Sequence, residues 1–260
     1  MNKKIVIAID AMGGENAPNK NIEGIALFIK NNQNKNDYFF NIFGDKEKIL
    51  KEVKKYNFSE NLFEVFHSST IVSDDETPLT AIKSSKDSSM WNSINSQITI
   101  NSDISLSAGN TGVLFVISRM LLKTIDTVSR PALAGLWPNK KNMNVVLDLG
   151  ANVECDDVNL VDFAEMGSAL YKSLFPDDVA KVALLNIGSE EIKGTESLKK
   201  AYMKLKDISV YGDFEFNGFI EGNKITDGVS NVIVTDGFTG NIALKTAEGT
   251  AKFITDSLKE

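Results

Sequence analysis

Five short turns rich in glycine, asparagine and aspartate hold most of the residue types in this chain that could bind or activate a substrate. They cover residues 10–14, 107–112, 148–152, 186–190 and 235–241, and each follows a short apolar run. Backbone N–H groups at strand-to-helix turns are free to bind anions. The pattern predicts chemistry by positioned hydrogen-bond donors rather than by a nucleophilic side chain.

The strongest local signal is the turn Ser107-Ala-Gly-Asn-Thr-Gly112. Its glycines let the backbone approach a ligand closely, and a helix predicted over residues 113–122 follows at once. The positive end of that helix suits an anion, although Thr111 acting as an ordinary helix cap explains the same pattern. The candidate ligand-binding residues of this turn are Gly109, Asn110, Thr111 and Gly112.

A second candidate anion site combines a cation with hydroxyl groups in one short run. Lys86, Asp87, Ser88 and Ser89 come just before a predicted helix, where backbone donors are also free. As a phosphate site this run competes with a simpler interpretation. Asp87 or Ser88 would cap an ordinary helix equally well.

The last two turns contain the candidates for residues that act on the substrate. Lys193 is a cation in a glycine-bounded loop beyond a predicted strand, where a solvated lysine is the alternative. Asn241 stands near a helix start, able to donate to a carbonyl or phosphate oxygen or, alternatively, to cap the helix. We expect Asp10 and Asp148 to shape their loops by accepting N–H bonds. Further candidate binding residues are Asn152, Asp236 and Gly237.

Composition excludes several common kinds of site. The chain has one histidine and one cysteine, which disfavours a Ser-His-Asp triad, a disulfide and a cysteine-rich metal centre. We expect Cys155 to be inert because neighbouring carboxylates raise its pKa, and we expect His67 to be structural. The acidic run at residues 74–76 is better explained as a solvated loop than as a metal site. Neither a metal nor a cofactor is predicted.

Two further negatives narrow the class of protein. The formal net charge of -7 argues against a nucleic-acid partner. The glycine spacings of the dinucleotide-binding fingerprint and of the P-loop are both absent.

The elements that must position these turns alternate between strand and helix, which predicts an α/β fold with a mainly parallel sheet. In one such sheet all five turns would lie at the carboxyl edge. We predict one domain over residues 1–260. The predicted strands cover residues 5–9, 38–43, 62–66, 104–106, 132–137, 145–147, 182–185 and 232–234. The main predicted helices begin at Pro18, cover residues 113–122, 160–174 and 196–206, and run from near Gly240 to the end.

Both ends of the chain allow predictions about location and completeness. The sequence has no signal peptide and no apolar run of the ~20 residues that a bilayer requires, so we expect a cytoplasmic protein. The final helix is still running at Glu260, which suggests truncation. Ala247, Ala251, Ile254 and Leu258 form a weak apolar stripe, which we interpret as core or dimer surface rather than lipid contact.

Taken together, the motifs closely resemble those of the bacterial phosphate acyltransferases, which make acyl-phosphate from acyl carrier protein thioesters. The matching segments occur in family order and span nearly the whole chain. They are residues 10–18, 86–90, 107–112, 130–134, 148–152, 186–188, 193–194, 236–241 and 244–246.

The resemblance implies a three-layer α/β/α sandwich related to isocitrate and isopropylmalate dehydrogenases and to phosphotransacetylases. It implies a homodimer that uses acyl carrier protein and inorganic phosphate and that precedes a membrane glycerol-phosphate acyltransferase in phospholipid synthesis. Peripheral membrane contact is a further implication, because similar proteins continue into an amphipathic helical tip. By the matching motifs, Lys193 and Asn241 are the residues expected to be essential.

The residue inventory suits this reaction, because phosphate needs no histidine to become a nucleophile. We hypothesise that residues 86–89 and 109–112 cradle phosphate, that Lys193 offsets its charge and that Asn241 donates to an oxygen of the reacting group. The alternatives are a non-catalytic fragment or scaffold of the same family, and a phosphotransacetylase-like or dehydrogenase-like relative of the same fold.

Overall fold

The chain folds into two compact units, Met1–Lys123 and Thr124–Glu260, which we call unit 1 and unit 2. A computed structural model describes residues 3–57, 59–73, 75–77, 80 and 83–259. Each unit has its own β-sheet and its own apolar clusters. That the two units form one domain stays a prediction.

Unit 1 is built on a parallel sheet of four strands in the order β3-β2-β1-β4. Its strands are β1 (Ile5–Asp10), β2 (Tyr38–Gly44), β3 (Phe63–His67) and β4 (Ile104–Ser107). Its helices are α1 (Asn19–Asn31), α2 (Lys46–Val53), α3 (Ser89–Thr99) and α4 (Thr111–Leu122).

Helices pack on both faces of this sheet. On one face, buried Ile9 and Ile42 belong to a cluster with Ile22 of α1 and with α2. On the other face, the Ser105 hydroxyl donates to the carbonyl oxygen of Ser93 in α3, 2.7 Å away. Because successive side chains of a strand point to opposite faces, these contacts give unit 1 three layers.

Unit 2 is built on a five-stranded sheet in the order β5-β6-β9-β7-β8. All neighbouring pairs are parallel except β5 with β6, which is antiparallel. Its strands are β5 (Ala134–Pro138), β6 (Met143–Leu147), β7 (Lys181–Leu185), β8 (Glu215–Ile220) and β9 (Val232–Val234). Its helices are α5 (Asp157–Leu174), α6 (Glu196–Ile208) and α7 (Gly237–Ser257).

The short central strand β9 is the best-buried part of unit 2. All three of its side chains are fully buried, and Val232 and Val234 pack with Phe163 of α5 and Leu205 of α6. On the opposite face Ile233 packs with Ile225, which lies in the 3₁₀ segment Gly222–Asp227. The core therefore fixes the position of the turn that follows β9.

The α/β class with mainly parallel sheets is confirmed, and all eight predicted strands exist with bounds within two residues. The ninth strand, β8, was missed because Gly218 interrupts its pattern with a positive φ of 79°. The prediction of five turns at one sheet edge is wrong. The strands form two sheets, so two turns lie in unit 1 and three in unit 2.

Three expectations about helices also need correction. The almost wholly apolar sequence of residues 113–122 predicts a helix that is buried on more than one side, but α4 buries only one stripe, around Val113 and Ile117. Helix α7 begins at Gly237 and not near Gly240. Ile254 and Leu258 are exposed by 51% and 82%, so the core interpretation of that stripe is wrong. None of the described helices is long and apolar enough to cross a membrane.

Candidate active site

The three turns of unit 2 are neighbours at the carboxyl ends of parallel strands. Strand β9 pairs with β6 on one side and with β7 on the other. Their turns therefore follow one another along the sheet edge, which is where open α/β sheets bind ligands. The centre of this edge is the turn after β9, flanked by the turns after β6 and β7.

The turn after β6 is organised by the buried carboxylate of Asp148. Its Oδ1 accepts the backbone N–H groups of Gly150 at 3.1 Å and Ala151 at 2.9 Å. Its Oδ2 accepts the backbone N–H of Asn152 at 2.7 Å and the Asn152 side-chain amide at 2.8 Å. These bonds support the loop-shaping role predicted for Asp148 and hold Asn152 nearly fully buried.

The start of α7 is locked onto this turn. The N–H of Gly237 donates to the carbonyl oxygen of Asn152 at 2.8 Å. A Cβ added to Gly240 would lie 1.9 Å from the Asp148 carbonyl oxygen, so only glycine fits there. Asp236 caps α7, because both of its carboxylate oxygens accept bonds from Thr239. Asp236 therefore fixes the helix start, and any contact that it makes with a substrate stays a prediction.

Asn241 lies in the second turn of α7 and is exposed. The alternative that Asn241 caps the helix is wrong, since Asp236 is the cap. Its side chain approaches the loop after β6, because a Cβ built on Gly150 would be 3.6 Å from Asn241 Oδ1. The amide of Asn241 thus stands at the solvent side of the sheet edge, above the turn that Asp148 organises.

Lys193 belongs to the turn after β7, where its Nζ is 2.8 Å from Glu190 Oε1. The hydrogen bond to Glu190 raises the pKa of Lys193, and the negative charge of Glu190 adds to the effect. The lysine is therefore a cation at neutral pH, with its side chain 44% exposed. Buried Asn186 supports this turn by donating from Nδ2 to the Lys193 carbonyl oxygen at 3.2 Å.

In unit 1 the turns after β1 and β4 are joined by a buried carboxylate. Ser107 Oγ donates to Asp10 Oδ2 at 2.7 Å, and the Gly109 N–H donates to Ser107 Oγ at 3.1 Å. Asp10 Oδ1 also accepts the N–H of Met12 at 3.2 Å. The role expected for Asp10 agrees with these bonds. Gly13 packs so closely that an added Cβ would be 2.6 Å from Asp10 Oδ2.

The cap of α4 is Asn110 and not Thr111. Asn110 Oδ1 accepts the N–H of Val113 at 3.1 Å, and its Nδ2 donates to the Glu76 carbonyl oxygen at 3.0 Å. Thr111 and Gly112 are the first two residues of the helix, where N–H groups have no intrahelical partner. The anion-binding capacity of this turn therefore lies in its backbone.

The run before α3 has a similar arrangement. Ser88 is the cap, and its Oγ accepts the N–H of Trp91 at 3.1 Å. Lys86 and Asp87 are exposed, and Asp87 has a positive φ of 67°. Ser89 is buried, and its hydroxyl oxygen has no hydrogen-bond partner among the described residues.

Two buried residues were not predicted as site residues. Ser85 Oγ in unit 1 and Asn186 Oδ1 in unit 2 have no partner in the described part of the chain. The sequence could have indicated Asn186, because it belongs to the segment 186–188 that matches the phosphate acyltransferases. An isolated serine such as Ser85 gives no such indication. A Cβ on Gly109 would lie 2.9 Å from the Met90 Cε, which brings the start of α3 next to the turn after β4.

Cys155 is not activated in this structure. Burial raises its pKa to about 11, and the charges of Asp148 and Asp236 contribute further. The expectation of an inert thiol agrees with this value, but the main cause is burial rather than the adjacent carboxylates of the sequence. His67 ends β3, where its Nδ1 accepts the N–H of Lys46 at 3.4 Å. Asp74 of the acidic run lies outside the described residues.

The fold is similar to that of two solved phosphotransacetylases. A phosphotransacetylase from Streptococcus pyogenes matches with a TM-score of 0.67 at 14% identity, over 97% of this chain and 83% of that one. The EutD phosphotransacetylase from Staphylococcus aureus matches with a TM-score of 0.66 at 17% identity, over 96% of this chain and 83% of that one. At such low identity these matches define the α/β fold alone.

The family follows from sequence. The model of the fatty acid synthesis protein family matches residues 5–260, and the chain belongs to that family. A phosphate acyltransferase of Pelagibacter ubique is 56% identical over the whole chain and 76% of its own length. A phosphate acyltransferase of Caulobacter vibrioides is 40% identical, over the whole chain and 71% of its own length.

Proposed function

We propose that this chain, a phosphate acyltransferase of lipid synthesis, transfers a fatty acyl group from the thioester of acyl carrier protein to inorganic phosphate. The observation that carries the proposal is the sheet edge of unit 2. It presents a protonated lysine, Lys193, in the turn after β7 and an exposed amide, Asn241, in the helix that follows the adjacent strand β9. These are groups that can position an anion and stabilise an oxyanion.

The reaction needs no covalent intermediate on the protein. A phosphate oxygen forms a bond with the thioester carbonyl carbon, and the carbon–sulfur bond then breaks. The proton of the attacking phosphate ends on the departing thiol, so the products are acyl-phosphate and free carrier. The single thiol of the chain, that of Cys155, has a pKa of about 11 and stays protonated at neutral pH. Direct attack by phosphate therefore agrees with the chemistry of this edge.

Each group has a proposed role. Lys193 offsets the charge of phosphate, and Asn241 donates to the oxygen on which charge develops. Asn152 and Gly237 hold the start of α7 against the neighbouring turn, and Asp236 caps it. In unit 1 we propose phosphate contacts by the N–H groups of Thr111 and Gly112 at the start of α4, and by Lys86 and Ser89 beside the start of α3.

The deciding experiment incubates the purified chain with acyl carrier protein thioester and phosphate and traps acyl-phosphate as a hydroxamate. We expect phosphate-dependent product. Acetyl-coenzyme A serves as a second donor, because preference for it would favour a phosphotransacetylase-type activity instead. A folded sample that forms no acyl-phosphate from either donor would support the scaffold interpretation.

The remaining partners rest on the family resemblance. We propose a homodimer, a peripheral membrane contact and a downstream membrane glycerol-phosphate acyltransferase that consumes the product. Acyl-phosphates are reactive mixed anhydrides, so an enzyme that makes one needs a consuming acyltransferase near by. Analytical ultracentrifugation and vesicle sedimentation test the first two of these proposals.

A further inference from the structure

Unit 2 contains a cavity of about 480 Å³ at the carboxyl ends of β7 and β9, between the starts of α6 and α7. Its volume falls in the range of small-molecule sites. The lining consists mostly of aliphatic side chains and backbone. The lining residues that bear on its chemistry are Leu185, Ile187, Thr195, Leu198, Ile242 and Ala243.

Except for the side-chain oxygen Oδ1 of Asn186, which has no partner among the described residues, the polar side chains around this cavity are engaged with the protein. Thr195 Oγ1 accepts the N–H of Leu198 as the cap of α6. The carboxylate of Asp236 accepts from Thr239, and the amide nitrogen of Asn186 donates to a backbone carbonyl oxygen. No lysine or arginine is among the lining residues that the structure describes. A neutral, apolar occupant suits such walls, whereas a phosphate does not.

The exposed aliphatic groups at this cavity point to the same conclusion. Ile187 is 80% exposed and Ile242 is 50% exposed, although both line the cavity. Large apolar side chains left open at a concave site commonly mark a place where an apolar ligand is bound.

The cavity adjoins the two residues proposed to act on the substrate. Along α7, Asn241 approaches Gly150, while the next two residues, Ile242 and Ala243, line the cavity. On the other side, Gly194 lines the cavity directly after Lys193. The chain neighbours of both Lys193 and Asn241 therefore line the cavity.

We propose that this cavity holds the fatty acyl chain of the donor and sets the preferred chain length. The inference rests on the proposed function, because it assigns the acyl tail to the cavity and the thioester carbonyl to its polar rim. Ile242 and Ala243 are then specificity-determining residues.

The test compares butanoyl, octanoyl and dodecanoyl carrier thioesters. For the unmodified chain, kcat/KM should rise by about fourfold per methylene until the cavity is full, as expected for burial of CH₂ groups. Ala243→Phe fills part of the cavity. It should lower kcat/KM at least about tenfold with the dodecanoyl donor and by less than about twofold with the butanoyl donor.

Ala251→Phe is the matched control, since it adds the same ring to an exposed position of the same helix. It should leave the chain-length profile unchanged. Ile242→Ala enlarges the cavity and should move the preference toward longer chains. If Ala243→Phe does not unfold cooperatively, Ala243→Val replaces it in the same comparison. The expected loss of kcat/KM with the dodecanoyl donor is then smaller.

Two results would overturn the proposal. One is an equal loss for all chain lengths, which would assign the cavity to the carrier arm. The other is no loss with any donor. Calorimetric binding of dodecanoic acid separates this inference from the proposed function, since it needs no turnover. Binding that Ala243→Phe weakens supports the cavity assignment even in a chain that forms no acyl-phosphate, and absence of binding to the unmodified chain contradicts it.

Discussion

At the scale of residues, Lys193 and Asn241 owe their positions to different kinds of support. Lys193 is held by a surface ion pair with Glu190, which can exchange partners at little cost. Asn241 is carried by a helix whose first turn is locked by Asp148 and Asn152. We therefore expect substitution at Asn241 to affect chemistry and substitution around Lys193 to affect phosphate binding.

Asn241→Ala should lower kcat for acyl-phosphate formation by roughly a hundredfold or more, because one lost oxyanion donor costs ~2.7–4 kcal/mol of barrier. The fold should survive, since the side chain is exposed. Steady-state kinetics and thermal unfolding check both parts. Asn223→Ala, also exposed, is the control and should keep normal turnover. Near-normal kcat in a folded Asn241→Ala protein would refute the assignment.

Glu190→Gln should lower KM for phosphate by up to about fivefold, as expected when an exposed competing carboxylate is removed. The pKa of Lys193, which Glu190 raises, would fall toward its ordinary value, still far above neutral pH. Lys193 would thus remain a cation without a carboxylate partner. Phosphate titrations at low salt measure the change.

The matched control is Glu191→Gln, since Glu191 pairs instead with Tyr202 and Lys206. It should leave KM for phosphate unchanged. An identical shift in both variants would show that only the net charge of the loop matters and not the Lys193 pair.

At the scale of elements, α7 and the turn after β6 behave as one assembled piece. Their contact depends on glycines at positions 237 and 240 and on the buried Asp148 carboxylate. The sequence shows these residues but not their contact, because glycine also serves turns and caps. The predicted start of α7 was wrong for the same reason. Asp236 and Asn241 are both good caps, and only the packing of Gly240 against Asp148 decides between them.

Gly240→Ala should lower the free energy of unfolding by about 1–3 kcal/mol, because the added methyl group collides with the Asp148 carbonyl oxygen. It should also lower kcat, since α7 must shift and carries Asn241 with it. Urea unfolding followed by circular dichroism measures the first effect. Gly249→Ala is the control in the same helix, where an added Cβ meets nothing within 4 Å. It should stabilise the chain by up to about 1 kcal/mol.

At the scale of the whole molecule, the strand periodicity predicted the α/β class but not the division into two sheets. A buried apolar run shows that a strand is central and parallel, yet it does not reveal which strand is its neighbour. Thus β4 pairs with β1 although Ile7 and Ile104 are 97 residues apart, and β6 pairs with β9 although Val145 and Val232 are 87 residues apart. The sequence motifs revealed the five turns. Only the strand pairing shows that two of them belong to unit 1 and three to unit 2.

The two tryptophans, Trp91 in unit 1 and Trp137 in unit 2, allow the single-domain prediction to be tested. Leu184→Ala should cost about 2–5 kcal/mol, because Leu184 is fully buried in the core of unit 2. In a single cooperative domain both tryptophans report the same lowered urea midpoint. Fluorescence of Trp91→Phe and Trp137→Phe backgrounds measures each unit separately. A midpoint that falls only for Trp137 would show two domains.

The close packing at Gly240 has a mechanical consequence. Helix α7 has 21 residues and is therefore about 30 Å long. One end is clamped against the Asp148 carbonyl group, while Phe253 near the other end is 72% exposed. A helix of this length is stiff, so a force on its exposed end is transmitted to its start. A molecule that binds near Phe253 would therefore change the orientation of Asn241.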